Sequence, residues 1–292
     1  MNLLRMYKRF VIIYIKSKLE YHGALLLELF ANTILIGVYF AGFLILFHNF
    51  KGIGGWTEYE VLFMFTTSWT SYSVSCFFFW SPMKDIGEMI RNGSFDMYMT
   101  RPIGPMTYLV LQQFQYTFLP RIVLSIIFWT ISMQKVTIVW NLRNIIFYVV
   151  SMLCSFVIFS SITIITGSIS FWTIKSEEIV SLLTDNNYGL KNFTDYPIQI
   201  YSKEIQLLLT FVVPYAFTAY YPVAILLGKN IGNNILGYLS PAIALLFACL
   251  ACLMWKKGLK HYGKFGCINK WFNICLGVVI PDRNKQYPLF NL

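Results

Sequence analysis

Five stretches of this chain are long and apolar enough to cross a bilayer: residues 23–47, 58–80, 105–131, 143–172 and 236–255. A helix needs about 20 such residues to traverse roughly 30 Å of hydrocarbon. In lipid the backbone N–H and C=O groups have no water to bond, so each stretch must satisfy them within itself, as a helix. The expectation is an all-α, polytopic membrane protein. Only 12% of the residues are charged, against about 25% in a soluble domain. No fixed-period repeat or low-complexity tract interrupts the pattern. No cleavable signal peptide is visible, because Arg5, Lys8, Arg9, Lys16 and Lys18 are spread along the first segment instead of preceding a short apolar core.

A sixth crossing is expected between residues 176 and 228, and two readings compete for it. Residues 176–195 carry Asp185, Asn186, Asn187 and Lys191, which cross only if neighbouring helices shield them. Residues 204–228 have the length, but Pro214 and Pro222 break the helix. Such breaks are tolerated where protein or a wet cavity surrounds them. Either 204–228 is one kinked span, or 176–195 crosses and 204–228 dips in from outside and returns. Both give six spans.

With the N-terminus in the cytosol, sixteen of the 23 Lys and Arg fall inside and five outside, Arg121 and Lys191 lying within spans. This asymmetry puts both termini and residues 81–103 on the cytosolic face, and 49–56 and 133–141 outside. The net charge of +10 is then a topological signal, and no nucleic-acid partner is expected. Residues 2–19 read as a helix lying in the inner interface. Arg5, Lys8, Arg9 and Lys16 share a face toward the membrane lipids, with Leu3, Tyr7, Phe10 and Tyr14 opposite. Arg121, just after Pro120, and Asp185 have depths that allow them to meet, and with Asn186 they are the candidates for a polar translocation path. Glu28 lies nearer the inner end of the first span.

Enzyme chemistry finds no support. His22, His48 and His261 lie near span ends or in the tail, there is no HExxH, and no serine has a His/Asp partner at recognisable spacing. No GxxxxGK[ST] occurs; Gly228-Lys229-Asn230 is the nearest string and lacks the glycine loop. Cys249 and Cys252 form a CxxC within an apolar helix and read as packing. No cofactor and no metal is expected.

Residues 81–103, SPMKDIGEMIRNGSFDMYMTRPI, are the one strongly charge-bearing island in the first half of the chain. Lys84, Asp85, Glu88, Arg91 and Asp96 make a mixed-sign surface. Gly93 permits a turn, and Arg101-Pro102 ends the segment. The run Ile90-Arg91-Asn92-Gly93-Ser94-Phe95-Asp96, followed by Tyr98 and Arg101-Pro102, resembles the IR.G..D..L.RP pattern of ABC-2-type permeases, the membrane subunits of many bacterial ABC exporters. A second region is similar to the later half of an ABC-2 subgroup formerly known only as a domain of unknown function. It runs Tyr196-Pro197-Ile198-Gln199-Ile200-Tyr201, then Leu209 through Phe217, then Tyr220-Tyr221-Pro222 and Leu227-Gly228. The stretch Trp255–Tyr262 fits as well. The resemblance assigns 1–266 to the permease domain and leaves 267–292 as a cytosolic tail, whose Trp271–Ile280 segment is suited to the interface. The polar run Thr184-Asp185-Asn186-Asn187 departs from the family, which has a more apolar fifth span.

The resemblance implies a six-span subunit that pairs with a second permease, identical or homologous, and with two copies of a separate ABC ATPase. Residues 81–103 would be the coupling helix that docks on the ATPase. Pro197, Pro214, Tyr220, Tyr221 and Pro222 would belong to a broken external element between the last two spans. The substrate classes implied are peptides or toxins, drugs and lipids, and the direction is export across the bacterial cell membrane. A secondary transporter would show repeated halves with matching broken helices and paired carboxylates; only one broken region occurs here. A lipid-modifying membrane enzyme would need a nucleophile–base pair, and none is present.

Overall fold

The computed structural model describes residues 22–49, 52–101, 103–173, 177–185, 189–229 and 235–275, with Ile12 and Lys16. The rest of the expected interfacial helix, Lys51, Pro102, Asn186 and the tail after 275 lie outside the described residues. In chain order the helices are α1 (His22–Asn49), α2 (Glu58–Arg91), α3 (Asp96–Met99), α4 (Pro105–Gln112), α5 (Leu119–Lys135), α6 (Leu142–Ser168), α7 (Glu177–Thr184), α8 (Lys203–Leu207), α9 (Tyr220–Leu226), α10 (Ile235–Tyr238) and α11 (Ser240–Cys275). Among the described residues the β-structure is a single bridge between Ile53 and Trp56. It closes a turn in which Gly54 and Gly55 both take positive φ, 58° and 81°, as a two-residue hairpin turn demands.

Four helical stretches have the length and hydropathy to cross a membrane: Leu25–Gly42, Tyr116–Lys135, Leu142–Phe171 and Ser240–Gly263. The pair Lys203–Val212 and Tyr215–Leu226 makes a fifth if counted as one span, but it bends by 77° at Pro214. The third expected span, 105–131, is not one helix. It breaks after Gln112, where the Gln115 N–H leaves the helical ladder and donates to Phe77 O at 3.0 Å, and the apolar helix resumes further along, at 116.

The axis of the bundle is α2, whose 34 residues extend about 51 Å at 1.5 Å each. Glu60 caps its start, accepting from the Thr57 N–H at 2.7 Å. Buried residues run from Val61 to Gly87, and over 61–69 they lie on all sides. Thr66, Thr67, Ser68, Ser71, Ser73 and Ser75 are among them, which lowers the hydropathy of α2 below that of its lipid-facing neighbours. Small hydroxyl residues suit a central helix, because they let backbones approach and bond across. Ser75 and Ser160 meet at 3.0 Å, and Thr67 meets Tyr148 at 2.9 Å. Gly167 of α6 lies so close that an added Cβ would stand 2.8 Å from the Cβ of Met83. Along α6 also packs α11, where Gly258 leaves room for the Phe171 ring. By contrast α1 and α5 present Leu26, Leu27, Phe30, Leu35, Val38, Val123 and Ile127 outward.

Two ends of the bundle can be told apart by contact. Phe171 packs edge-on against Phe95 at 5.4 Å, and its carbonyl lies 3.1 Å from His261 Nδ1, at the end that holds residues 81–103. Ile200 lies against Gly54, and Lys229 donates to Gly55 O at 2.9 Å and pairs with Glu60 at 2.8 Å, at the opposite end. Between Phe171 and Ile200 the chain therefore changes ends. It follows α2 as it does so: Tyr72 donates to Thr184 O at 2.6 Å, and Ser68 meets Thr194 at 2.9 Å. Between Ile200 and Lys229 it goes inward and comes back, reaching the middle of α6 where Ser155 donates to Thr218 O.

Candidate functional site

Two sites stand out, one at an end of the bundle and one inside it. At the end, α2 runs through Pro82 to Arg91, so the island begins as a rigid continuation of the central helix. Asn92 caps it, its N–H donating to Glu88 O at 2.9 Å. Gly93 turns the chain with φ of 68°, the left-handed region that favours glycine. The one-turn helix α3 follows. Phe95, fully buried, and Tyr98 anchor this corner in a second apolar cluster with Met83, Ile86, Leu109, Phe171 and Trp255. Burial, then the neighbouring Tyr108 and Asp85, push the Tyr98 phenol above its ordinary range, so it stays neutral.

The charges expected to act here divide into two groups. Glu88, Arg91, Asp96 and Arg101 are exposed, with Met97 and Met99 between them at 45% and 41% exposure. Lys84 and Asp85 are half-buried, and Asp85 accepts from Ser81 Oγ at 3.1 Å. Asp96 is also a latch: Tyr262 of α11 donates to it at 2.7 Å. The Arg101 guanidinium lies 5.6 Å over the Tyr108 ring. The corner is thus an exposed mixed-sign ridge fastened to the core by aromatic anchors.

Inside the bundle a cluster of charged and aromatic groups surrounds Trp69. Lys191, fully buried in the short 3-10 segment Leu190–Asp195, pairs with Asp195 Oδ1 at 2.8 Å. Trp69 Nε1 donates to the same oxygen at 3.0 Å, and the Tyr39 hydroxyl donates to Oδ2 at 3.0 Å. A buried charge persists only when paired and hydrogen-bonded, and Asp195 meets both conditions. Lys191 Nζ lies 4.6 Å from the Trp69 ring and 5.0 Å from that of Tyr72. Arg121 reaches the same two rings, at 4.9 Å and 6.0 Å, and also Phe118 at 5.0 Å.

Sequence reasoning found Arg121 but not its surroundings. Asp185 follows the last turn of α7, its N–H donating to Ser181 O at 2.9 Å, and among the described residues no ion pair joins it to Arg121. Asp195 was missed, although its spacing of four from Lys191 is a signal for pairing. Trp69, around which the cluster is built, is fully buried. Tyr220, Tyr221 and Pro222 open α9 and are buried; the Tyr220 ring lies tilted 5.8 Å from that of Trp56, and Tyr221 meets Thr210 at 3.2 Å. Pro214 marks the 77° bend, and Pro197 precedes the 3-10 turn Ile198–Ile200.

Long apolar helices with lipid-facing exteriors and a buried polar cluster define a multi-pass helical membrane protein. A family model described as ABC-2 family transporter protein matches residues 33–266. The chain belongs to that family and is an ABC-2-type permease. Searches of curated proteins and of solved structures return no match.

Proposed function

We propose that this chain is the permease subunit of an ATP-driven exporter in the bacterial cell membrane, with both termini cytosolic. It pairs with a second permease, identical or homologous, and with two copies of a separate ATPase. The observation that carries this reading is the 81–103 corner. A mixed-sign surface suits docking on a soluble partner. Its continuity with α2 gives a push at Arg91 a rigid path to the centre of the bundle. The broad apolar faces of α1 and α5 suit lipid or the second permease. The substrate is a peptide or toxin, a drug or a lipid.

In this reading the chain crosses six times. Four crossings are the apolar stretches named above, α2 is the second in chain order, and the fifth is the polar segment 176–195. The change of ends between Phe171 and Ile200 supports that assignment. Residues 203–226 then form a re-entrant element that starts and finishes outside. The Lys191–Asp195 pair is what makes a polar fifth crossing tolerable.

The test is activity after separation and reassembly. Purified alone, the chain hydrolyses no ATP; with an ATPase subunit bearing a phosphate-binding loop it supports ATP-dependent transport in liposomes. Hydrolysis by the isolated, contaminant-free chain refutes the assignment.

A further inference from the structure

Arg121 stands apart from the other charges of the interior. Lys191 has Asp195, and both oxygens of Asp195 are already occupied by Lys191, Trp69 and Tyr39. Arg121 has aromatic faces on its guanidinium but, among the described residues, no carboxylate within ion-pair distance, and its Nε is buried without a hydrogen-bond acceptor. It also sits in the first turn of α5, the positive end of the helix dipole, where a cation is disfavoured. A guanidinium that merely escaped lipid would snorkel toward the headgroups. This one turns instead toward Trp69, which has no exposure at all.

The side chain is nevertheless reachable. Arg121 is half-buried in α5, the helix that packs on α1, and the Trp69 ring it faces lies 4.9 Å from Tyr39 of α1. The seam between α1 and α5 is tied at one end by Tyr116 donating to Glu28, and at the other by Phe40 stacked on Phe128 at 4.2 Å. Arg121 falls between the ties, which are twelve residues apart on each helix, or about 18 Å. The flanking surface is apolar, with Leu35, Val38, Val123 and Ile127 facing outward.

We propose that Arg121 binds the acidic headgroup, phosphate or carboxylate, of an amphiphile that enters sideways between α1 and α5 with its tail along their apolar faces. This deepens the exporter reading, on which it rests for its physiological meaning, by assigning an anionic amphiphile as the substrate class. The guanidinium, which has no carboxylate partner among the described residues, supplies charge-assisted hydrogen bonds to the headgroup, and the aromatic rings hold it in place before the ligand arrives.

The experiment is thermal unfolding of the purified chain in neutral dodecyl maltoside, with dodecyl phosphate added as a minor component. It needs no ATPase, so its failure is distinct from failure of the docking reading. Wild type is stabilised saturably by dodecyl phosphate and not by zwitterionic dodecylphosphocholine. Phosphatidylglycerol in place of dodecyl phosphate asks whether a two-tailed bilayer lipid also fits; stabilisation lost in Arg121→Gln supports the site for that source too. Arg121→Gln needs at least roughly tenfold more dodecyl phosphate for the same shift, about 1.4 kcal/mol, while Arg121→Lys loses less. Without ligand, Arg121→Gln unfolds at the same temperature as wild type or higher, because an unpaired charge has been removed. Lys135→Gln, an exposed cation elsewhere, leaves the ligand shift intact. The proposal is overturned by an absent wild-type shift, by an equal shift in Arg121→Gln, or by equal loss in Lys135→Gln. Equal stabilisation by inorganic phosphate overturns the amphiphile class.

Discussion

Replacing Asp195 by Asn tests the buried cluster at its most connected atom pair. The change keeps one acceptor oxygen for the Trp69 indole and turns an amide NH2 toward the Tyr39 hydroxyl, which can accept from it, but leaves the Lys191 ammonium, fully buried, without its carboxylate. Removing one partner of a buried pair costs about 3–5 kcal/mol, because the other charge stays uncompensated. Lys191→Met should cost less, about 1–3 kcal/mol, since Asp195 retains two neutral donors. In the double variant no charge of the pair remains, and at least about 2 kcal/mol of the Asp195→Asn loss should return. Reversible unfolding in mixed micelles by increasing SDS, followed by far-UV circular dichroism, measures all three. If the double variant is as unstable as Asp195→Asn, or Asp195→Asn costs under about 1 kcal/mol, then the pair does not carry the fifth crossing.

Two further outcomes are specific. Gly167→Ala forces a Cβ to within 2.8 Å of Met83 Cβ and 3.0 Å of its backbone O, and should destabilise by about 1–3 kcal/mol. Met83→Ala should not rescue it in the same SDS unfolding assay, because those two atoms remain. In a cysteine-free background, Asn92→Cys should react with a membrane-impermeant thiol reagent only from the cytosol, and Gln134→Cys only from outside; the reverse pattern inverts the proposed topology.

The apolar lengths made α1, α6 and α11 legible, because lipid-facing helices must be apolar wherever they touch hydrocarbon. Legibility fell where protein replaced lipid as the surroundings. The serines and threonines of α2 lower its hydropathy because they face other helices, and nothing local says so. The break at Gln113–Gln115 was hidden by apolar residues on both sides, and it depends on a carbonyl of α2 that is distant in sequence. The polar load of 176–195 was visible, and so was the condition that neighbours must shield it; the cover that Trp69, Tyr72 and Tyr39 give Lys191 and Asp195 is tertiary and was not. At the 81–103 corner the turn at Gly93 and the charges could be read from residue type. The Asp96–Tyr262 latch, bridging 166 residues, could not.

That latch changes how the docking surface should be probed. Asp96→Lys would reverse a surface charge and break an internal hydrogen bond together, so its effect would be ambiguous. Arg91→Glu and Glu88→Lys alter exposed side chains on the same ridge. The most direct test is quantitative co-purification of the ATPase with each variant, alongside Lys135→Glu at the opposite end. A charge reversed in a desolvated contact should weaken binding by about 2–5 kcal/mol, and far less at a rim. Arg91→Glu or Glu88→Lys should lose ATPase and transport together, with normal expression and insertion, while Lys135→Glu should retain both. Undiminished ATPase recovery with both ridge variants would show that residues 81–103 do not couple this permease to its motor.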